Sequence, residues 1–182
     1  INIAPSTSGN VLTSDGTDWT SAAAAGGGGI TEIDQWRLTT TFTGDATPIA
    51  SNLARVTAVG FSKLGTGMSQ SSGVFSFPST GFWRVDFVSN FKGNVNSYWN
   101  TSYIKVTTDN STYSIAAEGQ SHSEGTGANQ YAENYAFCIF DVTNITTHKV
   151  NFHISAYDTS IKTRAGTNIN QTYFTFTRLG DT

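Results

Sequence analysis

The stretch GFWRVDFVSNF, residues 81–91, alternates apolar and polar side chains with a period of two. Trp83, Val85, Phe87 and Phe91 point one way, and Arg84, Asp86, Val88 and Asn90 the other. Successive side chains of a strand leave opposite faces, so this pattern segregates its apolar set only as a β-strand. HKVNFHISAYD, residues 148–158, repeats the pattern. Val150, Phe152, Ile154 and Ala156 are expected inward, and Lys149, Asn151, His153 and Ser155 outward. Both are expected to be half-buried strands of an antiparallel sheet with one wet face. Further strands are expected in DQWRLTTTF, ARVTAVGF, GVFSFP, SYWNTSYIKVTT, TYSIAAEGQS, NYAFCIFDVT and QTYFTFTRLG. KGNVN, TDNS and SEGTGAN supply turn chemistry between them. No segment sustains a helical stripe. About nine short strands at regular spacing predict an all-β sandwich or closed barrel.

Composition agrees. Charged residues are 13% of the chain and aromatics another 13%. Helix surfaces draw on Glu, Lys, Arg and Gln, whereas strands favour aromatic and β-branched residues. The net charge is −3, and Arg37, Arg55, Lys63, Arg84, Lys92, Lys105 and Lys149 are scattered along the chain, so nucleic acid is not the expected partner. Cys138 is the only cysteine, which rules out an internal disulfide or a cysteine-based zinc cluster. In YAFCIF it is expected to be a buried, inert thiol. No run of about 18 apolar residues exists, so no membrane insertion is expected. The chain opens on Ile, as expected of a piece of a longer polypeptide or a processed product.

Residues 1–29 read differently from residues 30–182. Few are large and apolar, and AAAAGGGG closes the stretch in linker composition. An extended stalk and linker over 1–29, then one domain over 30–182, is the expected organisation. Two strands of that domain read as apolar on both faces. In YAFCIFDV, Tyr135, Phe137 and Ile139 oppose Cys138, Phe140 and Val142, and TYFTFTRL is similar. Such strands need cover on both sides, from a loop or from another subunit.

GVFSFPSTGFWRVDFVSNF, residues 73–91, resembles the G-x-F-x-x-P-x-x-G-x-Y hairpin of C1q-like jelly rolls, the group that also contains the tumour-necrosis-factor fold. NYAFCIFDVT and HKVNFHISA fall where that family has its sixth and seventh strands, and QTYFTFTRLGDT closes the chain as such domains close. The resemblance implies a jelly roll with a turn at Pro78–Gly81 joining adjacent strands. It also implies a tight homotrimer whose first, third, sixth and last strands face the threefold axis. Tyr135, Phe137, Cys138, Ile139, Phe140, Tyr173, Phe174 and Phe176 are the expected interface residues. APSTSGNVLTSDGTDWTS resembles a short motif, roughly G-x-V-L-T-S-D-G-x-x-W-x-S, of bacteriophage fibre, collar and other virion appendage proteins. There it precedes a terminal domain. Val11, Leu12 and Trp19 are too few to form a core alone, but three copies around an axis would share one, with TSDG as a tight turn.

Catalytic constellations do not appear. Gly-x-Ser-x-Gly is absent, and His122, His148 and His153 lack metal-hydrolase spacing. Asp15 and Asp18 read as a turn rather than a calcium loop. Glu118, Glu124 and Glu133 are the carboxylates a glycosidase would draw on, at separations the sequence leaves open. The Asn-x-Ser/Thr triplets at Asn100, Asn110, Asn144 and Asn170 follow from composition. No enzyme activity, cofactor or metal is expected. The expected function is a structural virion appendage whose trimeric jelly roll binds a host-surface glycan or protein, with other virion proteins held through the N-terminal segment. The alternatives are a purely structural decoration module and, behind it, a secreted cellular C1q-like lectin. Tyr98, Trp99, His122, Tyr131, Tyr157 and Arg164 are the candidate receptor contacts, on loops that pair aromatic rings with Asn and Ser side chains.

Overall fold

The computed structural model describes residues 10–14, 16–23, 29–57, 60–95, 97–123 and 129–182. Asp15, Glu124, most of the Ala/Gly run and the start of the appendage motif lie outside the described residues. The strands are β1 (Asn10–Ser14), β2 (Trp19–Ala23), β3 (Ile33–Leu38), β4 (Phe42–Thr43), β5 (Leu53–Arg55), β6 (Ser69–Ser71) and β7 (Val74–Ser76). They continue as β8 (Gly81–Gly93), β9 (Ser97–Thr107), β10 (Ser114–Ser123), β11 (Gln130–Val142), β12 (Lys149–Ala156), β13 (Lys162–Thr163) and β14 (Tyr173–Gly180). No helix occurs among the described residues.

Two antiparallel sheets form a sandwich. One runs β10-β9-β12-β7-β6; the other runs β4-β13-β8-β14-β3-β5, with β11 paired along the whole of β8. The alternation in 81–91 does its work here: Trp83, Val85, Phe87 and Phe91 are buried in one core with Val150, Phe152 and Ile154. Rings from both sheets interlock at its centre. Phe87 stacks on Phe174 at 5.0 Å, Phe152 lies 4.2 Å from Phe174, and Phe75 meets Phe176 at 5.1 Å. Offset and edge-on aromatic pairs at such separations add stabilisation beyond the area they bury.

A buried carboxylate closes one side. Asp34 accepts from Trp36 Nε1 at 2.9 Å, from the Met68 amide at 2.8 Å and from Arg55 Nε at 2.9 Å. With its lone pairs occupied by donors and a cation, burial is tolerated, and β3, β5 and the 66–68 loop are tied together.

Two expectations are corrected. The Pro78–Gly81 turn does not join paired strands, because β7 and β8 lie in different sheets. It is a corner that crosses the sandwich, fastened by Phe77 against Trp83 at 5.2 Å and by Trp83 Nε1 donating to the Ser79 carbonyl at 3.2 Å. Its glycine is forced: Gly81 has φ of +134°, and a Cβ there would lie 2.4 Å from the Gly180 carbonyl oxygen. Gly73, in the preceding turn between β6 and β7, has φ of +79°, and a Cβ there would lie 2.2 Å from the Ile49 carbonyl oxygen. The second correction concerns β12, whose polar face is not wet: Asn151 and His153 are buried. β12 is the middle strand of its sheet, and Tyr103 and Lys105 stand directly across from His153 and Asn151 on the same face.

The described part of the N-terminal motif forms a strand pair. β1 and β2 pair from Asn10↔Ala23 to Ser14↔Trp19, and Gly16 at φ +97° carries the turn expected of TSDG. Leu12 and Trp19 share one face of the hairpin and are both exposed.

Strand direction sorts the loops to two poles. β8 ends, β9 begins, β10 ends, β11 begins and β12 ends at one of them. β3 starts at the other, where Ile33 pairs with Thr177 and Thr177 with Arg84. Along β8, Arg84 and Lys92 are roughly 26 Å apart at strand rise.

Candidate functional site

Two exposed regions gather the expected site residues. The first is the outer face of the larger sheet. Cross-strand rows run Tyr135–Val88–Tyr173–Arg37, Phe137–Asp86–Thr175–Gln35 and Ile139–Arg84–Thr177–Ile33. At the β11 end of these rows Tyr135 and Phe137 are each 50% exposed and Ile139 59%. Tyr135 and Phe137 stack at 5.8 Å. The Arg84 guanidinium lies 4.9 Å from the Phe137 ring centre and donates to Asp86 at 2.9 Å and to the Tyr135 hydroxyl at 2.7 Å; that hydroxyl donates to Asp86. The bond to Asp86, with burial second, raises the Tyr135 phenol above its ordinary range. A fixed, apolar-plus-ionic surface results.

The structure divides the expected interface set. Tyr135, Phe137 and Ile139 are on this outer face and Tyr173 is half-buried on it. Phe174 and Phe176 are fully buried among the core rings, and Cys138 and Phe140 turn inward, Phe140 against Phe77 at 5.8 Å and His148 at 5.5 Å. Phe174 and Phe176 are corrected to core residues, and Cys138 and Phe140 to partly buried residues packed against that core. The period of two puts 174 and 176 on one face and leaves Thr175 and Thr177 outside, so β14 has a single apolar face. Burial, with Asp86 second, pushes the Cys138 thiol up to about 11, which keeps it protonated and unreactive at neutral pH.

The second region is the pole at the end of β8. Tyr98 and Trp99 come from the first residues of β9 and Tyr157 follows β12, so two of these three are strand residues rather than the loop residues expected. They converge. Tyr98 meets Tyr157 edge-on at 5.0 Å and Trp99 meets it at 5.8 Å, while the Tyr157 amide donates to the Trp99 carbonyl at 3.1 Å. Tyr98 remains 71% exposed and Tyr157 44%. Tyr131 forms a second group at the same pole. Arg164 lies 4.8 Å and Lys92 5.8 Å from its ring, and Arg164 is aimed by donating to Asn90 Oδ1 at 2.8 Å. His122 is exposed on β10, one residue before its end. The six candidate contacts thus belong to one end of the molecule.

Among the described residues no three His, Cys, Asp or Glu side chains group as metal ligands. His148 is buried on Phe140, bonded to Thr143 and Thr147, and His153 bonds Asn151 at 3.0 Å. Glu118 and Glu133 are on β10 and β11, both exposed. Sequence reasoning passed over Asp34, because a buried carboxylate inside an apolar strand shows no local signal; its donors come from β3, β5 and a loop 34 residues away.

Two packed antiparallel sheets in this order define a jelly roll of the TNF/C1q type. Similar solved structures are murine APRIL at pH 8.0 and Eiger TNF from S. frugiperda. The first is 10% identical with a TM-score of 0.57, over 81% of this chain and 98% of that one. The second is 9% identical with a TM-score of 0.61, over 82% of this chain and 93% of that one. The likeness is one of fold. No protein-family model and no curated protein matches the sequence.

Proposed function

We propose that this chain is a recognition module of a bacteriophage virion appendage: a homotrimer whose far pole binds a host-surface glycan, with the N-terminal segment held by other virion proteins. The observation that carries the recognition half is the Tyr98–Trp99–Tyr157 cluster, three exposed rings brought together from the start of β9 and the residue after β12, at the pole opposite the start of β3. Exposed aromatic groups of this kind have no use in a core and suit the apolar C–H faces of sugars, while nearby amides and hydroxyls bond sugar hydroxyls. Each contact is weak, and three copies on one particle multiply it by avidity. The assembly half is supported by the outer sheet face, where Tyr135, Phe137 and Ile139 are left at least half exposed by this chain. Closed threefold symmetry buries such a repeated patch in every copy. The appendage context is supported by the GNVLTSDGTDWTS motif, whose hairpin leaves Leu12 and Trp19 exposed on one face for a neighbour. The test is an array of bacterial surface polysaccharides. The native protein is expected to bind a subset of them, and Tyr98→Ala/Tyr157→Ala, with its circular dichroism unchanged, is expected to lose that binding. Native protein that binds no polysaccharide and no bacterial cell surface leaves a structural decoration module as the better reading.

A further inference from the structure

At the same pole, beside the aromatic cluster, Lys92, Gly93, Asn94, Asn129, Ser160 and Lys162 line a cavity of about 270 Å³. Its two lysines are register partners, Lys162 on β13 directly across from Lys92 on β8, so both side chains leave the same face of the sheet. Like charges placed opposite one another across strands destabilise a sheet. Among the described residues neither ammonium has a carboxylate within 4.0 Å, and the guanidinium of Arg164 adds a third positive charge over the neighbouring Tyr131 ring. The nearest acidic group along the chain, Asp158, is committed to its own loop, where it accepts from the Ser160 amide at 2.8 Å. A chain of net charge −3 has thus placed two unpaired lysines on one opening, with a third cation over the adjoining Tyr131 ring.

The geometry points to an oxyanion site: Lys92 and Lys162 hold a carboxylate or phosphate borne by a saccharide, and Asn94, Asn129 and Ser160 donate to its hydroxyls. This rests on the glycan-binding reading above and deepens it, because it names the class of glycan as acidic. Tyr157 lies three residues before Ser160, and Tyr98 four after Asn94, so one oligosaccharide can present a ring to the aromatic cluster and its acid to the lysines.

The test is titration calorimetry of the native protein with trigalacturonate, with glucose 1-phosphate and with a neutral galactose trisaccharide, at low ionic strength and near physiological salt. At least one anionic probe is expected to bind, to weaken with salt, and to bind roughly tenfold more weakly to Lys92→Gln/Lys162→Gln. Binding of trigalacturonate alone identifies a uronate site, and of glucose 1-phosphate alone a phosphate site. The inference is overturned if neither anion binds the native protein at low salt, or if the double variant binds both as tightly as the native chain. Those failures leave the polysaccharide array untouched: binding there that is lost in Tyr98→Ala/Tyr157→Ala and retained in the lysine variant keeps glycan recognition and removes only its acidic specificity.

Discussion

His153 is a neutral side chain in a place where its charge is costly. Burial, with Lys105 second, pushes its pKa down to about 4 from the ordinary 6.5. Asn151 Oδ1 lies 3.0 Å from its Nε2, and Tyr103 stands across from it. Between those two values the unfolded chain holds a proton that the folded chain does not, so stability falls as the pH drops from about 6.5 to 4 and is fully present above 6.5. The loss amounts to about 2–3 kcal/mol over that window. His153→Gln removes this one contribution. Urea unfolding of both chains near neutral pH and near pH 4 is expected to show the smaller acid loss in the variant. Equal losses would place the acid sensitivity in other groups.

β11 illustrates what local pattern records and what it omits. The alternation of Tyr135, Phe137 and Ile139 with Cys138, Phe140 and Val142 is visible in the sequence, and the structure assigns the first set to solvent and the second to the core side. The consequence for assembly is direct. Phe137→Asp is expected to leave the circular dichroism unchanged, because the ring is half exposed, and to turn a particle of three 19.5 kDa chains into single chains by light scattering. Native protein with the mass of one chain would sink the trimer. β12 shows the limit. Its alternation announces a polar outer face, yet Asn151 and His153 are buried because β12 lies in the middle of its sheet, and strand order is not written in any one strand. β4 and β13 have two residues each and β6 three, too few to express a period. Similarly, Tyr98 and Tyr157 are far apart in sequence. Their meeting depends on β9 and β12 running antiparallel with Ala156 beside Asn100, a register no local signal carries.

Taken together, the two poles give the domain a direction. The chain leaves its N-terminal hairpin for β3 at one pole, and the rings and lysines stand at the other, roughly 26 Å along β8 from Arg84 to Lys92. β3 is paired with β14 through five residue partners, from Thr177↔Ile33 to Tyr173↔Arg37. A load carried between residues 30 and 98 therefore runs lengthwise along these strands. It puts the β3–β14 hydrogen bonds in shear, all bearing at once. A load between residues 30 and 182 instead pulls at neighbouring strand ends and peels the same bonds one after another. Single-molecule pulling is accordingly expected to need a larger rupture force between residues 30 and 98 than between residues 30 and 182, and equal forces would refute that view. Forced unfolding is governed by the height of the barrier to rupture rather than by equilibrium stability. Under tension the resistance of this fold is therefore set by the direction in which its strands are loaded, and it is greatest lengthwise, from residue 30 to residue 98.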